Sequence, residues 1–271
     1  MTKIHPSAIV SPGAELADEV VVGAHTVIED DVRIAPGCEI GTSTIIHSGV
    51  RLAEGVRVFH GAALGGEPQD LKFGGEKTEL FIGENTVIRE FVTLSRGTKA
   101  TGKTRIGKNC LLMAYSHVAH DCVIGDNVIL VNSVNIAGHV EVEDFAIIGG
   151  IVPVHQFVRI GRHSMIGGGL RVPKDVPPYI MAGGQPLRYY GLNSVGLRRR
   201  GFSADSRSAL KKAYYFLFQS ELNTRQAVEK IRAEFGEVAE VQHLLEFIAK
   251  SKRGLLPGHR TARMEEEQDE I

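Results

Sequence analysis

An aliphatic residue falls on every sixth position from Ile106 to Val172: Ile106, Leu112, Val118, Ile124, Leu130, Ile136, Val142, Ile148, Val154, Ile160, Ile166 and Val172. The same phase reaches back to Ile4, and over that whole span only Asp70, Glu76 and Ala100 are not Ile, Leu or Val. Helices repeat about every 3.6 residues and strands about every 2, so neither produces this beat. A sustained hexapeptide repeat predicts a parallel β-helix.

A second phase runs two residues ahead of each aliphatic and holds small or β-branched residues, among them Val20, Thr26, Val32, Thr44, Val50, Val128, Val134 and Val140. Two inward positions two residues apart describe a short strand with one face to the core. The remaining residues of each hexad must turn. Gly follows the aliphatic at 23, 41, 83, 107, 125, 149, 161 and 167, and Asn85, Asn109 and Asn127 lie two beyond such a glycine. Both residue types tolerate left-handed corners. Three sides then give an 18-residue turn and a triangular prism, with strands of successive turns paired in parallel at about 4.8 Å.

The beat lapses twice. Residues 65–81 read as a loop thrown outward, whose length and whose Gln69, Asp70 and Lys72 suit a binding loop or lid. Residues 95–105, rich in Gly, Thr and Lys, read as a shorter surface loop. The repeats stop at Val172-Pro173, and Pro177-Pro178 marks a boundary, placing the prism at 1–175 and a small α-helical domain at 176–256. There, one helix starts at Ser203 and buries Leu210, Tyr214 and Leu217. Another starts after Asn223, carries Ala227, Ile231 and Phe235, and ends at Gly236. A third buries Val241, Leu244, Leu245 and Ile248. The acidic tail, 257–271, has no apolar face and is expected to be disordered.

Composition narrows the function classes. Lys+Arg 31 against Asp+Glu 32 offers no global attraction for nucleic acid. The N-terminus lacks an apolar h-region and no run approaches the ~18 apolar residues of a membrane span, so a soluble, cytoplasmic protein is expected. Cys38, Cys110 and Cys122 all occupy the small inward phase, which makes them packing residues rather than ligands or nucleophiles.

Nine of the 11 histidines lie in the repeats and none in an inward phase, so none is expected in the core. Four gather: His117, His120, His139 and His155. Eighteen residues beyond His120 lies Gly138, and eighteen further lies Gln156; Asp121 maps in the same way onto His139. Residues distant in the chain should therefore stack at one corner. Histidine in such a cluster suits proton exchange near neutral pH. Zinc on histidines of adjacent turns is the competing chemistry, disfavoured because no exposed cysteine joins them and His117 and His120 fall on a side and a corner. No Ser/His/Asp arrangement argues for a covalent intermediate.

The hexads, the loop Gln69-Asp70-Leu71-Lys72, the run from His117 to Cys122, Gly138-His139, His155-Gln156-Phe157, and Asn193 with Leu197-Arg198-Arg199-Arg200-Gly201-Phe202 together resemble the UDP-N-acetylglucosamine 3-O-acyltransferases of lipid A biosynthesis, over roughly residues 1–255. The resemblance implies a left-handed β-helix and a homotrimer with sites between adjacent prisms. It implies transfer of an acyl group from an acyl-carrier-protein thioester to the sugar 3-hydroxyl of a UDP-sugar, with no cofactor or metal. In that scheme His120 is the general base and the Gly138 backbone N–H the oxyanion donor. Gln69, Asp70, Lys72, His117, Asp121, His139, His155 and Gln156 match sugar-nucleotide contacts, and Asn193, Arg199 and Arg200 match positions near the phosphates. Gly168 matches the position limiting acyl length, and a glycine there leaves room for about a dozen carbons or more, each buried methylene contributing ~0.8 kcal/mol. Two departures, Val195 for a glutamate and Ser95 for a histidine, leave room for an amide-forming variant acting on a 3-amino sugar nucleotide. A zinc hydratase of the γ-carbonic anhydrase kind and a non-catalytic carrier-binding scaffold are the remaining alternatives.

Overall fold

The computed structural model describes residues 1–258, so most of the expected acidic tail lies outside the described residues. Short strands wind into a three-walled prism. The first wall is an 11-stranded sheet from Lys3–Ile4 onward, and the second and third are eight-stranded sheets beginning at Ile9–Val10 and Glu15–Leu16. Pairing is parallel at every step of the repeats, as in Lys3↔Val21 and Ile129↔Ile147. In almost every strand the second residue points inward and is buried, which is the aliphatic phase of the sequence.

Burying a Val, Ile or Leu is worth about 1.5–3 kcal/mol, so each turn adds a similar increment to one continuous core. The ends differ. Ile4 is 48% exposed at the open N-terminal end, whereas Val172, Val176 and Tyr179 are buried where the helical part closes the other. Cys38, Cys110 and Cys122 are buried and reduced. Burial pushes the Cys110 thiol to about 11 and the Cys122 thiol to about 12.

Asn85, Asn109 and Asn127 are left-handed, as expected of corners. The glycines that follow the aliphatic have a different reason. A β-carbon on Gly83 would stand 2.6 Å from the Gly107 carbonyl carbon, so the requirement there is close approach of the next turn, not backbone sign.

Both lapses sit at one corner, between the second and third walls. The first joins strand Ala63–Gly66 to Glu79–Ile82, and the second joins Thr93–Ser95 to Lys103–Ile106. Ala63 pairs with Thr93 and Thr93 with His117, steps of 30 and 24 residues in place of 18. The insertions are thus twelve and six residues, and the hexad phase survives them.

Beyond the repeats, the first wall continues into Ile180–Gly183, which pairs in parallel with Met165–Ile166, and then into the antiparallel strand Arg188–Leu192. That hairpin and the short helix α1 (Ser194–Arg199) were not anticipated from the apolar pattern. Helices α2 (Ala204–Phe218), α3 (Thr224–Phe235) and α4 (Ala239–Ala249) follow. Ser203 caps α2 through the Ser206 N–H, and Asn223 with Gln226 forms a capping box on α3. Gly236 ends α3 with φ −60°, a right-handed cap. Leu210, Tyr214, Val241, Leu244 and Leu245 are buried, while Leu217, Phe235 and Ile248 are only partly so. No described helix is long and apolar enough to cross a membrane.

Candidate active site

The corner that carries both insertions also carries the histidine cluster. His117 starts the strand His117–Val118 on the second wall; Val118 turns inward, and Ala119, His120 and Asp121 round the corner before Cys122 returns to the core. Asp121, His139 and Phe157 occupy equivalent left-handed positions on successive turns, with φ of 60°, 60° and 63°. Turn-to-turn bonds from the His139 N–H to the His120 carbonyl (3.1 Å) and from the Phe157 N–H to the Gly138 carbonyl (3.2 Å) hold them in register. The His120 and His139 rings meet edge to face at 5.1 Å, and His139 stacks on Phe157 at 4.6 Å.

His120 Nδ1 lies 2.7 Å from Asp121 Oδ2. The Asp121 side chain is fully buried. Burial alone would raise its carboxyl, but hydrogen bonds from Thr101, His120 and Thr98 outweigh that and hold it below the ordinary carboxylate range. An ionised carboxylate only accepts, so His120 carries its proton on Nδ1 and leaves Nε2 open as a base. Beside that nitrogen is Gly138. A β-carbon there would stand 2.7 Å from Cε1 and 2.8 Å from Nε2, so the missing side chain is what keeps the approach to His120 clear. The Gly138 N–H has no hydrogen-bond partner among the described residues.

Of the other expected residues, His117 sits on the same wall with Nδ1 2.7 Å from Thr93 Oγ1, and burial holds its imidazole below the usual range. His155 and Gln156 lie two turns along, His155 Nδ1 being 3.1 Å from the Gln156 carbonyl. Gln69, Asp70 and Lys72 ride the first insertion at the same corner; Asp70 Oδ1 accepts from the Lys72 N–H at 3.0 Å, and Leu71 is fully exposed at the tip. These residues share one ridge.

Asn193, Arg199 and Arg200 do not join it within one chain. The Asn193 amide donates to the His163 carbonyl (2.9 Å) and accepts from the Gly196 N–H (3.2 Å), capping α1. Arg200 lies over Phe145 at 4.3 Å, at the corner between the third and first walls. Gly168 is at the remaining corner, where its β-carbon would stand 3.1 Å from the Gly150 carbonyl oxygen. On the first wall beside it, Leu111, Ile129, Ile147, Met165 and Met181 form an outward apolar column.

One expectation fails. His163 is buried, only 9% exposed, although it is not in an inward phase. The helical part covers its corner: it stacks on Phe145 and Tyr179 and meets the edge of Phe202. Burial, with Arg200, Arg162 and His243 nearby, pushes its imidazole down to about 4, and Nδ1 has no partner.

Thr98 and Thr101, which the repeat pattern gave no reason to select, both bond Asp121. Phe157 was within reach of the pattern, since it lies 18 residues beyond His139. His120, Asp121 and His139 also offer ligand atoms all within 4.8 Å of one another. A carboxylate has about four lone-pair sites, and Asp121 already accepts from the Thr98 N–H, the Thr98 and Thr101 hydroxyls and His120. The donor pattern therefore suits a hydrogen-bonded dyad better than a metal.

Residues 175–256 match the family described as Udp N-acetylglucosamine O-acyltransferase, domain 2, and residues 25–60 and 103–138 match the bacterial transferase hexapeptide repeats. The chain is 51% identical over 257 residues to an acyl-[acyl-carrier-protein]–UDP-N-acetylglucosamine O-acyltransferase of Thiobacillus denitrificans, covering 94% of this chain and 100% of that one. The chain belongs to the UDP-N-acetylglucosamine O-acyltransferase family. Its relatives of known structure include the Francisella novicida acyltransferase (35% identity, 94% of each chain, TM-score 0.92) and that of Bacteroides fragilis (42% identity, 93% of this chain, 99% of that one, TM-score 0.91). The prism is accordingly a left-handed parallel β-helix, and the chain an acyltransferase.

Proposed function

We propose that this chain transfers a 3-hydroxyacyl group from an acyl-carrier-protein thioester to the 3-hydroxyl of UDP-N-acetylglucosamine, the first step of lipid A biosynthesis. The observation that carries the mechanism is the pairing of His120, oriented by Asp121, with the bare amide of Gly138. A sugar alcohol is too weak an acid to attack unaided, and an imidazole, which exchanges protons near neutral pH, is suited to taking its proton. His120 Nε2 accepts that proton as the oxygen adds to the thioester carbonyl. The developing oxyanion meets the Gly138 N–H. Collapse breaks the C–S bond, and the imidazolium returns the proton to the departing carrier thiolate. No cofactor enters this route.

His117, His139, His155 and Gln156, with Gln69, Asp70 and Lys72 from the loop, grip the sugar nucleotide along the shared ridge; Asp121, expected among these contacts, is fully buried with both oxygens engaged and acts through His120 instead. Asn193, Arg199 and Arg200 lie at another corner, so their part in phosphate binding requires a neighbouring copy, and we assign the working unit as a homotrimer. Gly168, at the corner that follows Met165 of the apolar column, is assigned as the limit on acyl length.

The amide-forming reading has its own support. Ser95, buried, and Val195, 52% exposed, stand where the resemblance expects a histidine and a glutamate. Measuring transfer to the hydroxy- and amino-sugar nucleotides side by side separates the two. Faster transfer to the amino sugar would replace the ester-forming assignment.

A further inference from the structure

The six-residue insertion is built over one buried carboxylate. It interrupts the corner one turn above Asp121, and its chain folds down so that four donors converge on the two oxygens. The Thr98 N–H reaches Oδ1 at 3.0 Å and the Thr98 hydroxyl reaches Oδ2 at 2.7 Å. The Thr101 hydroxyl bonds Oδ1, and His120 Nδ1 takes the remaining place on Oδ2. The Asp121 N–H is tied to Thr104 Oγ1 at 2.9 Å, and Thr78 Oγ1 anchors the base of the insertion through the Gly97 carbonyl at 2.6 Å. The titratable side chains facing the carboxylate are His120 and His139, the latter with Nε2 at 3.8 Å; Lys99 and Lys103 of the insertion are exposed.

We propose that Thr98 and Thr101 are positioning residues for the proton transfer: by filling three of the four acceptor sites of Asp121 they leave one, which fixes His120 with its proton on Nδ1 and Nε2 toward the substrate. Without them a fully buried carboxylate would lack partners or would swing to find them. The imidazole bonded to it would lose both its orientation and its tautomer. This inference rests on the base role of His120 proposed above.

Thr98→Val removes the hydroxyl while keeping the branched shape, and Thr98→Ser keeps the hydroxyl. Fewer donors on Asp121 raise its own pKa and also strengthen its pull on the His120 proton, so both effects move the acid limb of kcat/KM upward. Thr98→Val should lose about tenfold or more in kcat/KM, the scale of one hydrogen bond to a charged group, with the acid limb shifted to higher pH. Thr98→Ser should restore both, and Thr101→Val, at an exposed position, should shift the limb in the same direction. In a His120→Ala background Thr98→Val should cost nothing further.

Imidazole nitrogen chemical shifts of His120 should show loss of the single tautomer in both valine variants, a readout that needs no turnover. An unmoved acid limb in Thr98→Val and Thr101→Val, with His120→Ala inactive, would overturn the positioning role and leave the base assignment standing. Full activity in His120→Ala would remove both. Should Thr98→Val fail to fold, Thr101→Val and the Thr98→Ser comparison decide the question by the same limb and the same shifts.

Discussion

Gly138 sits against the imidazole of His120 so closely that a β-carbon there would clash with the ring, at 2.7 Å from Cε1 and 2.8 Å from Nε2. The two residues are eighteen apart in the chain and adjacent in space, one turn of the prism separating them. Gly138→Ala must therefore push His120 off its bond to Asp121. A displacement of about 1 Å in a reacting group can cost about 10²-fold, and we expect a loss of that order in kcat/KM with thermal stability little changed. Steady-state kinetics beside a melting curve checks it.

Removal of metal should leave the enzyme working. Both Asp121 oxygens are already engaged by two donors each, and His120 holds one of those places. Exhaustive dialysis against a chelator should leave acyl transfer unchanged, and metal analysis of the active protein should find no stoichiometric zinc. Loss of activity restored by zinc would favour the hydratase-like reading.

How far the sequence alone reached can be seen at this corner. Adding eighteen brings His120, Gly138 and Gln156 together, and the count holds because all three lie beyond both insertions, whose twelve and six residues preserve only the phase of six. The inward phase likewise marked the core turn by turn. Thr98 and Thr101 stayed invisible because they lie inside a lapse, where no period constrains position. His163 was misjudged for a related reason. Hexad phase reports which residues face the inside of the prism, but an outward corner can be buried by a second layer, here Tyr179 and Phe202, added to the stacked Phe145 of the preceding turn. The hairpin over Ile180–Gly183 and Arg188–Leu192 escaped because a wall can be extended by strands that no longer follow the repeat.

His163 also sets a pH dependence of stability. Its folded pKa of about 4 lies below the ordinary value of about 6.5 for the unfolded chain. Between those values the unfolded state binds the proton and the folded state does not, so stability falls as the pH drops from 6.5 toward 4. His163→Phe keeps the stacked ring and removes the unpartnered Nδ1. The difference in melting temperature between this variant and the parent should widen in favour of the variant across that window. A pH-independent difference would show that His163 is not the group responsible.

Gly168 offers a test of acyl selection. A side chain there begins 3.1 Å from the Gly150 carbonyl oxygen, at the corner that follows Met165 of the apolar column. Gly168→Met should shift preference toward shorter acyl donors, each lost methylene contact being worth ~0.8 kcal/mol. Competition between carrier-bound donors of different lengths measures this, and an unchanged preference would remove Gly168 from the acyl site.

The central claim is that proton removal occurs at His120, on the ridge it shares with Asp121, Gly138 and His139. The direct measurement is kcat/KM of His120→Ala with acyl-carrier-protein donor and UDP-N-acetylglucosamine, its fold verified by circular dichroism. General-base catalysis contributes about 10²–10⁴-fold, and a loss of that size is predicted. Turnover within a few-fold of the parent, about the scatter of a surface substitution, would contradict the account.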